Sequence, residues 1–102
     1  MNTIDANTLK ARLDSGEKIN LIDVREPHEN AAFNIGGLLL PLGKIQTMQI
    51  DDIEELKGEE VICYCRSGQR SMMAAMMLES FGFTNVCNLQ GGMLGWQDTF
   101  SS

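Results

Sequence analysis

The most chemically loaded stretch of this chain is Cys65-Arg66-Ser67-Gly68-Gln69-Arg70-Ser71. A cysteine leads it, two arginines and two serines follow, and a glycine stands in the middle. The stretch joins an apolar β-type run, Val61-Ile-Cys-Tyr64, to an apolar helical pattern that starts at Met72. The first amides of a helix have no partner within it, and the helix dipole adds partial positive charge there. A loop that curls at that point turns its N–H groups into an anion-binding concavity. Gly68 supplies the backbone freedom for the curl, and Ser67 and Ser71 supply local hydrogen bonds that steady it. A thiol at the base has its pKa lowered by the amides and by Arg66 and Arg70, and the thiolate is the nucleophilic form. Taken alone, a cysteine at a strand end is more often a small core residue. The six polar and glycine positions that follow Cys65 favour the reactive reading.

The elements around the loop must hold it in place. Asp5 or Thr8 can cap a short helix that carries Leu9, Ala11, Arg12 and Leu13 and stops at Gly16. Ile19 to Val24 reads as a buried strand, and Pro27 opens a short helix that runs to Ala32. Ile35 to Leu40 is a second, short strand closed by Pro41. Residues 44–58 mix isolated apolar positions with charges, which predicts short helical turns. Val61 to Tyr64 is the clearest strand and Asn85 to Leu89 another, each followed by a helix: Met72 to Phe81, and a last one with Met93, Leu94 and Trp96. Alternating strands and helices imply an α/β fold whose parallel sheet is flanked by helices. Ligands in such sheets bind beyond the carboxyl ends of the strands, where residues 65–71 fall.

Composition narrows the function. The 102 residues suffice for one hydrophobic core, and nothing in them marks a linker or repeat. Fourteen acidic against eight basic side chains give a formal net charge of −6, and there is no basic block. Nucleic acid and anionic membrane are therefore not expected partners, because both are bound by clustered cations. The start of the chain lacks the basic and apolar runs of a signal peptide, and no apolar run is long enough to span a bilayer. Three irregularly spaced cysteines imply no disulfide framework, so a cytoplasmic, reducing setting is expected.

Three segments together resemble the single-domain rhodaneses, the thiosulfate sulfurtransferase-like family. They are Leu21-Ile-Asp-Val-Arg-Glu-Pro-His-Glu29, Cys65 to Ser71, and Asn88-Leu-Gln-Gly-Gly-Met93 with Trp96. The resemblance covers the chain from about Ile4 to Trp96 and implies one rhodanese-like domain over residues 1–102. It implies a three-layer α/β fold around a five-stranded parallel sheet. It also implies a sulfurtransferase in which Cys65 becomes a persulfide, cradled by Arg66, Ser67, Gly68, Gln69, Arg70 and Ser71. Asp23 and Arg25 match the family's structural signature near the site, where a buried or half-buried ion pair that positions the loop is expected rather than substrate contact. The donor would be a small sulfur-containing anion such as thiosulfate, and the acceptor a thiol or a sulfur carrier. No metal or organic cofactor is implied. One segment departs from the family: where Gly-His-Ile-Pro-Gly-Ala is usual, this chain has Phe33-Asn34-Ile35-Gly36-Gly37-Leu38.

Other readings are weaker. Cysteine phosphatases and arsenate reductases carry five residues between Cys and Arg, whereas four separate Cys65 from Arg70, and no general acid can be assigned. A catalytically silent rhodanese-like binding or regulatory module would be expected to have lost the cysteine. A disulfide between Cys63 and Cys65 has poor geometry at spacing i, i+2. Cys63, Cys65, Cys87 and His28 lack the spacing of a zinc site, so no metal is expected. Met72, Met73, Met76 and Met77 are expected to be buried in the helix behind the loop, and Asp51, Asp52, Glu54 and Glu55 to form a solvated face. With no long unexplained apolar stripe, a monomer is the expected state.

Overall fold

The computed structural model describes residues 1–101. The elements run β1 (Asn2–Ile4), α1 (Ala6–Asp14), β2 (Asn20–Asp23), α2 (Pro27–Ala32), β3 (Leu38–Leu39) and α3 (Leu42–Gln46). A 3-10 turn (Asp51–Leu56), β4 (Glu60–Tyr64), α4 (Gln69–Ser80), β5 (Asn85–Leu89) and α5 (Gly92–Phe100) complete the chain. The five strands form one parallel sheet in the order β1-β5-β4-β2-β3. The expected α/β sheet with flanking helices is therefore observed.

Alternation along β4 explains the layering. Val61, Cys63 and Cys65 point to one face and join a core with Ile22, Val24, Ile45, Ile53, Ala74 and Leu78. Ile62 and Tyr64 point to the other and pack with Leu9, Leu21, Leu89, Met93 and Trp96. Helices α3 and α4 cover the first face, and α1 and α5 the second. Asp5 is the cap of α1, its carboxylate accepting from the Thr8 N–H at 2.7 Å. Among the described residues no helix is long and apolar enough to cross a membrane.

The first strand is absent from the reading of the sequence. Asn2–Ile4 is three residues long with only Ile4 buried, and its definition as a strand comes from pairing with Cys87, Asn88 and Leu89. The strands around Ile22 and Leu38 are also shorter than their apolar runs.

Three of the four methionines of α4 are a correction, while Met77 is partly buried against the core as expected. Its buried face is Ser71, Ala74, Ala75 and Leu78, small residues at helical spacing that bring the helix close to the sheet. Met72, Met73 and Met76 face outward and are 44%, 47% and 58% exposed. That exposed apolar face removes the ground on which a monomer was expected.

Candidate active site

The last ladder pair between β2 and β4 joins Asp23 to Tyr64, so β4 delivers Cys65 to the carboxyl edge of the sheet with a neighbour on each side. The chain then turns through Gly68, whose φ of 101° lies in the left-handed region that glycine favours, and enters α4 at Gln69. This turn folds the loop over the sulfur. The Cys65 Sγ accepts from the Gly68 N–H at 3.0 Å, from the Ser71 N–H at 3.3 Å and from the Ser71 hydroxyl at 3.3 Å.

Burial and hydrogen bonding oppose each other at this thiol. Cys65 is 1% exposed, and burial pushes its pKa up. The donors from Ser71, Gly68 and Ser67 outweigh that, and the net direction is down. The other two cysteines go the opposite way. Burial raises Cys63 to about 12, and burial with the nearby Glu60 carboxylate raises Cys87. Of the three thiols, all free, only Cys65 is arranged to ionise.

Behind the loop stands Asn88, a buried polar residue on β5 that the sequence reading did not assign to the site. Its amide donates to the Gly68 carbonyl at 3.1 Å, and its Oδ1 accepts from the Ser71 hydroxyl. Ser71 has one proton for three acceptors, because Gly68 O and the Cys65 sulfur lie within reach of the same hydroxyl. Asn88 thus braces the two residues that donate to the sulfur. An asparagine at the fourth of five positions in a buried strand was the available signal.

The loop's own carbonyls are held from below. Those of Cys65 and Arg66 accept from the Met93 and Leu94 N–H groups at 2.9 Å each, which are early amides of α5. The approach leaves no room for a side chain at Gly92. A Cβ there would lie 2.5 Å from the Cys65 carbonyl oxygen and 2.6 Å from that of Arg66. The Gly91-Gly92 pair is therefore more than the tight turn its sequence suggests.

Asp23 and Arg25 form the expected buried ion pair, with Arg25 Nε and Nη2 donating to the two carboxylate oxygens at 2.9 and 2.8 Å. Asn30 donates to the same carboxylate, and Arg25 reaches on to the Phe33 carbonyl at 2.6 Å. The pair fastens the end of β2 to the segment that departs from the family pattern. Within that segment Asn34 accepts from the Gly36 N–H at 2.9 Å, and the Tyr64 hydroxyl donates to the Gly36 carbonyl at 2.8 Å.

The two loop arginines are not equivalent. Arg70 spans to α2 and donates to both oxygens of Glu29 at 2.8 Å, an ion pair that holds Glu29 down at about 2. Among the described residues Arg66 has no such partner, and it lines an open cleft of about 220 Å³ with Arg25, Glu29, Phe33, Leu94 and Gln97. Glu29 is a second residue missed from sequence; it lies 41 positions from its partner, beyond any local pattern. His28 is exposed, as expected, and no cluster of three or more His, Cys, Asp or Glu able to hold a metal occurs among the described residues.

A family profile described as rhodanese-like domain matches residues 5–99. The chain belongs to the rhodanese-like family. A sulfurtransferase from Allochromatium vinosum is 38% identical over 97 residues, covering 94% of this chain and 88% of that protein. Several other relatives are longer, and the chain spans between 24% and 66% of them. A rhodanese-like domain protein from Staphylococcus aureus superposes with a TM-score of 0.82 at 28% identity, covering 94% of this chain and 91% of that one. The human single-domain sulfurtransferase TSTD1 shares the fold, with a TM-score of 0.80 at 24% identity over 99% of both chains. Within this rhodanese-like domain, the loop from Cys65 to Ser71 presents a thiol with a lowered pKa among backbone donors, an arrangement able to attack a sulfur and hold the resulting anion.

Proposed function

We propose that this rhodanese-like domain is a sulfurtransferase that carries a sulfane sulfur on Cys65. The observation that carries the reading is the pair of backbone donors on the Cys65 sulfur, from Gly68 and Ser71, with the Ser71 hydroxyl also within reach, which favours the thiolate inside a buried loop. Thiosulfate is the simplest donor. The thiolate attacks its outer sulfur; a Cys65 S–S bond forms, the S–S bond of thiosulfate breaks, and sulfite leaves with the electron pair.

The terminal sulfur keeps one negative charge. The Arg66, Gln69 and Arg70 amides, which make no protein hydrogen bond among the described residues, are the donors positioned to stabilise it. A thiolate acceptor, either a small thiol or a sulfur carrier, then attacks the terminal sulfur and restores Cys65. The cycle is ping-pong and needs neither metal nor organic cofactor. Three unpaired thiols suit a reducing compartment such as the cytoplasm.

Intact mass of the reduced protein before and after thiosulfate tests this reading. The expected result is a gain of one sulfur atom, removable by cyanide and absent in Cys65→Ser. Sulfur gained equally by Cys65→Ser would assign the chemistry to another residue. No gain from thiosulfate or from an organic persulfide would refute the transferase reading.

A further inference from the structure

Two arginines stand in the loop, and a chain at −6 has few other cations to offer an anionic donor. One of the two is already spent on a neighbour. Glu29 takes both prongs of Arg70 at 2.8 Å and also accepts from the Glu26 N–H at 3.1 Å as part of the capping box of α2. A fork-on-fork guanidinium–carboxylate pair fixes the arginine's direction as well as its charge. Its net charge is zero, so a donor at the loop meets Arg66 as the one cation there without a carboxylate partner among the described residues. Glu29 itself lines the same open cleft as Arg66, so its carboxylate stands near the loop cation that has no carboxylate partner among the described residues.

Sulfur donors differ in charge. Thiosulfate is a dianion and its leaving group is sulfite, whereas an organic persulfide presents one negative charge at sulfur. Electrostatic energy scales with the charge of the incoming ion, so a carboxylate beside the loop penalises the dianion about twice as much as the monoanion. Resting on the Cys65 persulfide reading, we infer that Glu29 is a specificity-determining residue: by holding Arg70 of the loop in a neutral pair, it disfavours doubly charged inorganic donors relative to singly charged organic persulfides.

Glu29→Gln tests this with little disturbance, because the amide keeps the side-chain length and still accepts from the Glu26 N–H. The readout is the second-order rate of sulfur loading on Cys65, followed by intact mass. Thiosulfate and the persulfide of N-acetylcysteine methyl ester, which carries no carboxylate, serve as donors. In Glu29→Gln, loading by thiosulfate rises roughly tenfold at low ionic strength and loading by the persulfide roughly threefold. Both gains shrink at high salt, which screens charge but does not relieve a structural defect. Glu29→Asp, which keeps the charge while shortening the arm, retains the wild-type ratio between the two donors. An unchanged donor ratio in Glu29→Gln, a gain insensitive to salt, or an equal gain in Glu29→Asp overturns the inference while leaving the persulfide reading intact. A wild-type protein that takes sulfur from neither donor overturns both.

Discussion

Cys63 and Cys65 are two residues apart on one strand and its exit, point to the same face of the sheet, and are 0% and 1% exposed. Their acidities nonetheless move in opposite directions, Cys63 up to about 12 and Cys65 down. Burial pushes both thiols up, so it accounts for Cys63 and cannot be what takes Cys65 down. The difference is hydrogen-bond supply: Cys63 sits inside β4, where the backbone donors are consumed by the ladder, while Cys65 sits where the ladder has ended and a loop curls back. A thiol becomes more acidic here through the termination of a strand, two residues beyond a less acidic copy of the same side chain.

The largest effect that would sharpen this contrast is Cys65→Ser. Sulfur loading falls below detection by mass, while Cys63→Ala leaves loading within about twofold and costs about 1 kcal/mol in denaturant unfolding. Substantial loss of loading in Cys63→Ala at unchanged stability would break the comparison. Next in size is Gly92→Ala. Its Cβ cannot fit 2.5 Å from the Cys65 carbonyl oxygen, so the loop must shift. Loading falls at least tenfold and unfolding loses about 1–3 kcal/mol, measured by thiosulfate kinetics and urea titration.

Ser71→Ala should act more gently, through acidity and through loss of the Asn88 contact. Removing a hydroxyl donor raises the Cys65 pKa toward the ordinary thiol value. Iodoacetamide alkylation, followed against pH, should show its midpoint displaced upward. Activity at neutral pH then falls several-fold and recovers as pH rises through the new midpoint, because the thiolate fraction is restored. A profile identical to the wild type would show that the two backbone amides suffice.

The smallest effect concerns the loop's tie to α2. Glu29 is held at about 2 against an ordinary value of 4.5, so its contribution to stability is fully present above about 4.5 and is lost as pH falls toward 2. The wild-type melting temperature should decline across that window more steeply than that of Glu29→Gln, by a small margin because the pair is partly solvated. Parallel melting curves would mean that the ion pair adds nothing to folding.

What could be read from the residues was what depends on neighbours in sequence. The loop from Cys65 to Ser71, the strands that alternate with helices and the Asp23–Arg25 pair all lie within short spans, and each is present. What escaped depends on distant partners. The strand at Asn2–Ile4 is defined by β5, more than eighty residues later. Glu29 finds Arg70 across the fold, and Asn88 finds Ser71 across two elements. The methionines misled for another reason. An apolar side chain marks a helix, but the small residues Ala74 and Ala75 determined which side could approach the sheet, and the thioethers of Met72, Met73 and Met76 were left outside.

The helix that holds the loop from below also carries the chain's single tryptophan. Trp96 is 8% exposed and stacks edge-on against Phe100 at 4.8 Å, on the same α5 whose Met93 and Leu94 amides grip the Cys65 and Arg66 carbonyls. Its emission therefore reports on the seating of α5, to which the loop is tied. Any perturbant that frays α5 before the sheet melts is expected to shift that fluorescence to the red as the loop carbonyls lose the Met93 and Leu94 amides.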